Sequence, residues 1–259
     1  MDRGESKNGT YTIKPTLSKH SFKVQCEFVD SKGYTIIKPT NLNETGNVYP
    51  PSKNQRCEDA NCFTQSVDYG LDIEQLKVSA VFSIFDIFLF KALTQLSTHC
   101  QQAISHNCNN NPLTGFSSWS DINNVRNQYW HGDHRANAVG CACLLDNSCG
   151  INLNHNCNCD TYKMNADDSG FLTSKDKLPV MQLHYGGSVS EISRIIYNLD
   201  ALICTGKSGT YPSEATKAAL NKLFNEDISI VAKINDLQDE FVAFRNESQE
   251  ITKVMSYFL

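Results

Sequence analysis

Cys141-Ala-Cys143 begins the stretch that constrains the architecture most. The stretch adds Cys149, closes with Cys157-Asn-Cys159-Asp160, and runs through Asp168-Ser-Gly170-Phe-Leu172 into Leu178-Pro179-Val180. Five of the chain's 11 cysteines fall between Cys141 and Cys159. Such crowding comes either from a disulfide-stapled loop in an oxidising compartment or from a metal cluster in a reducing one. Spacing favours disulfides. Zinc-binding cysteine pairs usually stand about two to four residues apart so that both thiolates reach one ion, whereas Cys-x-Cys points neighbouring side chains apart.

Around this stretch, 259 residues can hold one large domain or two small ones, with enough chain to bury a core. The formal charge of -5 is spread without blocks and shows no nucleic-acid footprint. Eleven cysteines exceed cytosolic usage and point to secretion. Three Asn-x-Ser/Thr sequons agree with that compartment: Asn8-Gly-Thr10, Asn43-Glu-Thr45 and Asn246-Glu-Ser248. Met1-Asp-Arg-Gly-Glu-Ser-Lys has no apolar signal-peptide core, and an odd cysteine count leaves one thiol over.

Together with Asn127-Gln-Tyr-Trp130-His-Gly132 before it and Leu202-Ile-Cys204-Thr-Gly206 after it, the cysteine-rich stretch resembles the fibrinogen-like module of the contactin-associated proteins, the neurexin-related adhesion proteins. The order of elements matches as well as the residues: a Tyr-Trp-x-Gly turn, Cys-x-Cys, a lone Cys, Cys-Asn-Cys-Asp, Asp-x-Gly-x-Leu, Lys-x-x-Leu-Pro-Val and a final Cys-x-Gly. The resemblance implies extracellular recognition rather than catalysis. It also implies that a cysteine upstream of Gly9-Thr-Tyr11-Thr-Ile13-Lys-Pro15 pairs with the one in Phe22-Lys-Val24-Gln-Cys26. That upstream cysteine is missing here, so Met1 is read as a truncated start and Cys26 as the unpaired thiol. Cys57, Cys62, Cys100, Cys108, Cys141, Cys143, Cys149, Cys157, Cys159 and Cys204 then make five disulfides, whose connectivity the sequence leaves open.

Residues 8–38 alternate as strands do, with Tyr11-Thr-Ile13, Phe22-Lys-Val24-Gln-Cys26 and Gly33-Tyr-Thr-Ile-Ile37 predicting a small antiparallel sheet. Residues 39–62 read as a loop ending in Cys57 and Cys62. Asp72 and Gln75 form the capping pattern of a helix. Its continuation from Val78 to Phe90 is apolar almost all round, yet shorter than the roughly 20 residues a membrane span needs. The family resemblance closes up when residues 78–91 are left out. They are read either as non-coding sequence retained in the message or as a buried helical insertion. Cys100 and Cys108 are expected to bracket a helix end and turn, and Trp119, Tyr129 and Trp130 to supply large packing groups.

After Cys204, Pro212-Ser213 starts a helix. Apolar residues then recur at steps of three and four, with Asp227 and Ser248 filling two gaps in the register: Leu220, Leu223, Ile230, Ile234, Leu237, Phe241, Phe244, Ile251 and Met255. Roughly five heptads suffice for a coiled coil. Phe224 and Val231 widen the apolar face, so a helix packed on the module fits at least as well.

Two candidate ion sites stand beside this. His131-Gly-Asp133-His134 precedes Cys141 and Cys143 and has zinc-ligand types, but thiols in an oxidising compartment pair instead. Asn165, Asp167, Ser169 and Asp176 occupy positions 1, 3, 5 and 12 of an EF-hand-like calcium loop, with Gly170 at 6. No Asp-x-Asp-Asn-Asp run precedes the Cys-x-Cys, so the calcium and sugar sites of fibrinogen-related lectins do not carry over. Neither a Gly-x-Ser-x-Gly elbow nor a zincin helix is present.

The expected architecture is α+β: a disulfide-rich, fibrinogen C-terminal-like domain over residues 8–206, with an irregular C-terminal half and residues 78–91 inserted. An amphipathic helix or coiled coil over 213–259 completes it. The expected function is non-catalytic extracellular adhesion or ligand recognition, on a secreted protein or a membrane-protein ectodomain. Its partners would be a protein or glycan ligand at the cell surface and, through residues 220–255, a second copy of the chain. The alternative is a secreted fibrinogen-related lectin oligomerised by its C-terminal helix.

Overall fold

The computed structural model describes residues 7–14, 21–30, 32–42, 46–48, 62–70, 82–132, 139–145, 147–150, 155–187, 190 and 192–206, with 46–48 and 82–88 as backbone only. Nearly all of these belong to one compact unit, Met1–Leu76 with Leu89–Thr210. Of a second unit, Lys77–Phe88 with Tyr211–Leu259, only the helical backbone of 82–88 is described. The expected tail helix over 213–259, its apolar register from Leu220 to Met255, the Asp72/Gln75 cap and the sequons at Asn43 and Asn246 lie outside the described residues.

Alternation sets the N-terminal strands. β1 (Gly9–Ile13), β2 (Phe22–Val29) and β3 (Lys32–Ile37) pair antiparallel in sequence, as residues 8–38 predict. Along β2, Phe22, Val24 and Cys26 are buried while Lys23, Gln25 and Glu27 are exposed, the period of two that places one strand face on a core. The loop expected over 39–62 contains a three-residue strand, β4 (Gly46–Val48). Next come β5 (Phe63–Ser66) and helix α1 (Phe82–Leu96), which runs unbroken across the Lys91–Ala92 junction. Leu89, Phe90, Ala92 and Leu93 are buried, and Phe90 meets Tyr69 edge-on at 5.1 Å.

The rest of the chain corrects the α+β expectation. Where a helix end and turn were expected, residues 99–109 form one long strand, β6 (His99–Asn109). The supposedly irregular half holds β7 (Ser118–Ser120), β8 (Arg126–Asn127), β9 (Ala166–Leu172), β10 (Gln182–Tyr185) and β11 (Arg194–Thr205). Two short 3-10 turns, Ala142–Leu144 and Asn158–Thr161, are the other helical elements. The described protein is therefore mostly β, with one α-helix. A seven-stranded sheet has the order β1-β2-β3-β11-β6-β9, with β4 also on β11; a four-stranded sheet has the order β5-β10-β7-β8.

The reason the long strand was hidden is chemical. β6 alternates in burial along its length, but its inward positions include Gln102 and His106, which break the apolar rhythm. Gln102 is fully buried and fully used. Its Nε2 donates to the Tyr69 hydroxyl and to the Asp200 carbonyl, both at 2.9 Å, and its Oε1 accepts from the Val180 amide at 3.0 Å. The Asp200 carbonyl lies at the register shift between Leu199 and Leu202, so Gln102 satisfies a backbone group that the bulged ladder leaves unpaired.

Candidate functional site

The site begins with four disulfides. Cys100 and Cys204 stand directly opposite each other on β6 and β11 and are bonded. Cys108, at the far end of β6, is bonded to Cys159 in the second 3-10 turn. Cys141 joins Cys157, and Cys143 joins Cys149. The Cys-x-Cys spacing works because the two side chains diverge to different partners. Cys57 lies outside the described residues. Cys26 is a fully buried free thiol; burial pushes its pKa up, with the Thr35 hydroxyl acting the other way.

Two buried carboxylates shape the loops that these bonds tie down. Asp160 accepts from the Leu113, Thr114 and Cys157 amides at 3.0–3.1 Å. Asp168 accepts from the Asn158 amide at 3.0 Å and the Cys159 amide at 2.8 Å. Irregular backbone cannot satisfy its own N–H groups, and these carboxylates supply the missing acceptors. Burial raises the Asp168 pKa to about 6; the two amide bonds oppose the shift and the charges of Asp160 and Asp167 add to it.

The Asp-x-Gly-x-Leu motif thus acquires a mechanical reading. Asp168 holds the Asn158–Thr161 turn and Leu172 is buried. Gly170 faces the Trp130 backbone, where a Cβ would overlap the Trp130 carbonyl oxygen. The Tyr-Trp-x-Gly turn is laid along β9 through Gly132, whose amide donates to the Phe171 carbonyl and whose carbonyl accepts from the Thr173 amide. Trp130 itself packs edge-on to His106 at 4.5 Å and parallel to Tyr185 at 6.4 Å.

The candidate calcium loop falls on the same strand. Asp167 and Ser169 lie on extended β9 and Asp176 lies beyond it, so Asn165, Asp167, Ser169 and Asp176 do not curl around one point. The Asp167 carboxylate accepts from Asn107 Nδ2 at 2.7 Å across the ladder. For the zinc candidate, Asp133 and His134 lie outside the described residues, and Cys141 and Cys143 are spent in disulfides. Asp168 does approach Cys141 and Cys157 within 4.8 Å, but two sulfurs bonded to each other offer no thiolate.

One arrangement escaped sequence reasoning because its members are far apart in the chain. His184 Nε2 lies 2.8 Å from Ser120 Oγ and its Nδ1 lies 3.0 Å from Thr64 Oγ1. This has the outline of a nucleophile, base and orienting group. A neutral hydroxyl stands where a carboxylate would orient the imidazole, and Ser120 and His184 are each 2% exposed, so no substrate carbonyl reaches the hydroxyl. Burial and the Arg126 charge lower the His184 pKa to about 4, and burial lowers that of His106 to about 3. Both imidazoles are neutral struts between strands.

At the surface, three large apolar side chains border one turn. Asn110 donates its amide to the Lys163 carbonyl and its side-chain Nδ2 to Ser190 Oγ, while its carbonyl accepts from Ser193 Oγ. Flanking Lys163 are Tyr162 and Met164, 48% and 56% exposed; between the two serines is Ile192, 63% exposed. Asn110 thus ties together the two segments that carry these exposed apolar side chains.

No protein-family model matches the chain. Over 213 residues, 79% of the chain, it is 29% identical to contactin-associated protein 1 of Rattus norvegicus and 28% identical to that of Mus musculus. Over 127 residues, 46% of the chain, it is 33% identical to contactin-associated protein 1 of Homo sapiens. The matched stretches are 14%, 14% and 9% of those relatives, so the chain spans about a seventh of their length or less.

Proposed function

We propose that this chain is a non-catalytic, extracellular recognition module of the adhesion type, corresponding to the fibrinogen-like module of contactin-associated proteins. The observation that carries the reading is the coincidence of the matched motif residues with the covalent scaffold. Asp160, Asp168, Gly170 and the cysteines from Cys108 to Cys159 build one set of loops, and every one of these residues has a structural task there. Such an arrangement suits presentation of a surface. The surface is the turn bordered by Tyr162, Met164 and Ile192, and the partner is a protein ligand at the cell surface.

The test uses the full chain, secreted and clustered on a multivalent carrier, and measures its capture by cells. Binding is expected without calcium, and a Tyr162→Ala, Met164→Ala, Ile192→Ala variant is expected to lose it while melting at the same temperature as the parent. Capture by cells that is unchanged in this variant would contradict the assignment of the surface. Binding that disappears on calcium chelation and is competed by acetylated sugars would instead describe a lectin.

A further inference from the structure

We infer that Cys143–Cys149 is a switch disulfide: a dithiol reductant opens it while the other three bonds stay closed, and its opening loosens the Asn158–Thr161 turn. The consequence for binding rests on the recognition surface proposed above; the opening itself does not. The bond spans a separation of 6, against 16, 51 and 104 for the others, so its opening frees a short loop and no strand. Of the cysteines in these bonds Cys143 alone is only half-buried, and Leu145, Asn147 and Ser148 in the loop it closes are exposed. A reductant must reach a sulfur, and at this bond it does so without unfolding the sheet.

Both sulfurs also have acceptors in place for the protons that reduction adds. Cys143 Sγ lies 3.7 Å from Asp168 Oδ1 and 3.9 Å from the Asn156 carbonyl oxygen, and Cys149 Sγ lies 3.4 Å from that same carbonyl. A thiol is a weak donor that bonds at such distances, so the reduced pair is satisfied where it stands. Elsewhere among the described residues the provision is one-sided: Cys159 Sγ has the Ala166 carbonyl at 3.6 Å, while Cys157 Sγ accepts from the Thr114 hydroxyl.

In the reaction, one thiolate of the reductant attacks Cys143 Sγ, the bond to Cys149 breaks, and Cys149 leaves with the electron pair and takes up a proton. The reductant's second thiolate then attacks the mixed disulfide, closing the reductant's own disulfide and releasing Cys143, which takes up the other proton. The dithiol is oxidised as the protein bond is reduced, and its protons end on Cys143 and Cys149. The Asp168 carboxylate beside Cys143 disfavours a thiolate there, so the freed sulfur does not go on to attack Cys141–Cys157. Opening reaches the turn by two links. Asp168 Oδ1, now shared with the Cys143 thiol, also accepts from the Asn158 amide at 3.0 Å, and Gly150, next to Cys149, donates its amide to Asn158 Oδ1 at 2.9 Å. Tyr162 directly follows that turn.

The experiment takes the secreted full chain, with its disulfides verified by mass, and adds dithiothreitol in steps without denaturant. Released thiols are alkylated and located by mass spectrometry, and amide exchange and capture by cells are measured on the same samples. Cys143 and Cys149 are expected to be labelled about tenfold faster than any other bonded cysteine. In that singly opened form, and in Cys143→Ser/Cys149→Ser, exchange at Asn158–Thr161 is expected to quicken about tenfold while β6 and β11 keep their protection, and capture is expected to fall. Labelling of the other bonds at the same rate overturns the inference. Selective labelling with unaltered exchange at the turn overturns the coupling, and a loosened turn with unaltered capture overturns the control of binding. Capture already absent from the oxidised wild type contradicts the recognition surface instead, and leaves the switch supported by its labelling and exchange.

Discussion

The sheet from β1 to β3 and the loops from Cys141 to Thr161 are built on opposite principles. In the first, ladder hydrogen bonds and an alternating buried face hold the chain, and its cysteine, Cys26, is an unbonded thiol. In the second, the regular structure described amounts to two 3-10 turns, and conformation comes from disulfides and from Asp160 and Asp168. A segment whose backbone bonds itself can stand on local pattern; a segment that cannot must borrow covalent links and side-chain acceptors from elsewhere.

The strongest disruption is expected from loss of the disulfides. Removing the Cys100–Cys204 bond, which closes a separation of 104, costs about 4–5 kcal/mol by loop entropy, and removing Cys143–Cys149, with a separation of 6, costs about 2 kcal/mol. Denaturant titration of Cys100→Ser/Cys204→Ser and Cys143→Ser/Cys149→Ser proteins checks the ranking. On full reduction, amide exchange is expected to accelerate first in Asn158–Thr161 and last in β2 and β3.

Gln102→Leu is next. It strips partners from the buried Val180 amide, the Asp200 carbonyl and the Tyr69 hydroxyl, and a loss of about 3 kcal/mol is expected at roughly 1–3 kcal/mol per orphaned group with partial relaxation. Gly170→Ala forces the Trp130 backbone off β9 for about 2 kcal/mol, in the range of overpacking, and is expected to quench the native Trp130 near-ultraviolet signal before global unfolding.

Per pH unit, acid has the mildest expected effect. The unfolded chain protonates His106 and His184 below about pH 6.5, while the folded chain, with values near 3 and 4, leaves them neutral; this removes stability as pH falls. Asp168 acts in the opposite sense, because its folded value of about 6 lies above 3.8, so the folded chain binds its proton first. Near pH 5 the unfolded chain leads by about one proton, and stability is expected to drop by about 1.4 kcal/mol per pH unit. Urea midpoints between pH 6.5 and 4.5 measure the slope, and His106→Gln with His184→Gln is expected to reverse its sign.

Legibility followed the same division. The N-terminal strands showed in the sequence because their inward residues are apolar. β6 did not, because Gln102 and His106 occupy inward positions for reasons set by partners 78 and 79 residues away. The Cys-rich stretch was recognisable as a stapled loop, yet spacing could not say that Cys108 would reach Cys159 or that Cys100 would face Cys204. The EF-hand-like spacing falls on a strand: Gly170 admits a neighbouring backbone, and Asp167 bonds across the ladder to Asn107. The Ser120–His184–Thr64 contact left no local signal at all.

Disulfide mapping on the secreted chain, by mass spectrometry of a non-reduced digest, tests the stapled scaffold most directly. Peptides linked Cys100–Cys204, Cys108–Cys159, Cys141–Cys157 and Cys143–Cys149 are expected, with Cys26 labelled only after unfolding. Free thiols at Cys141, Cys157 or Cys159 in folded protein, or a linkage that joins Cys26 to this stretch, would contradict it.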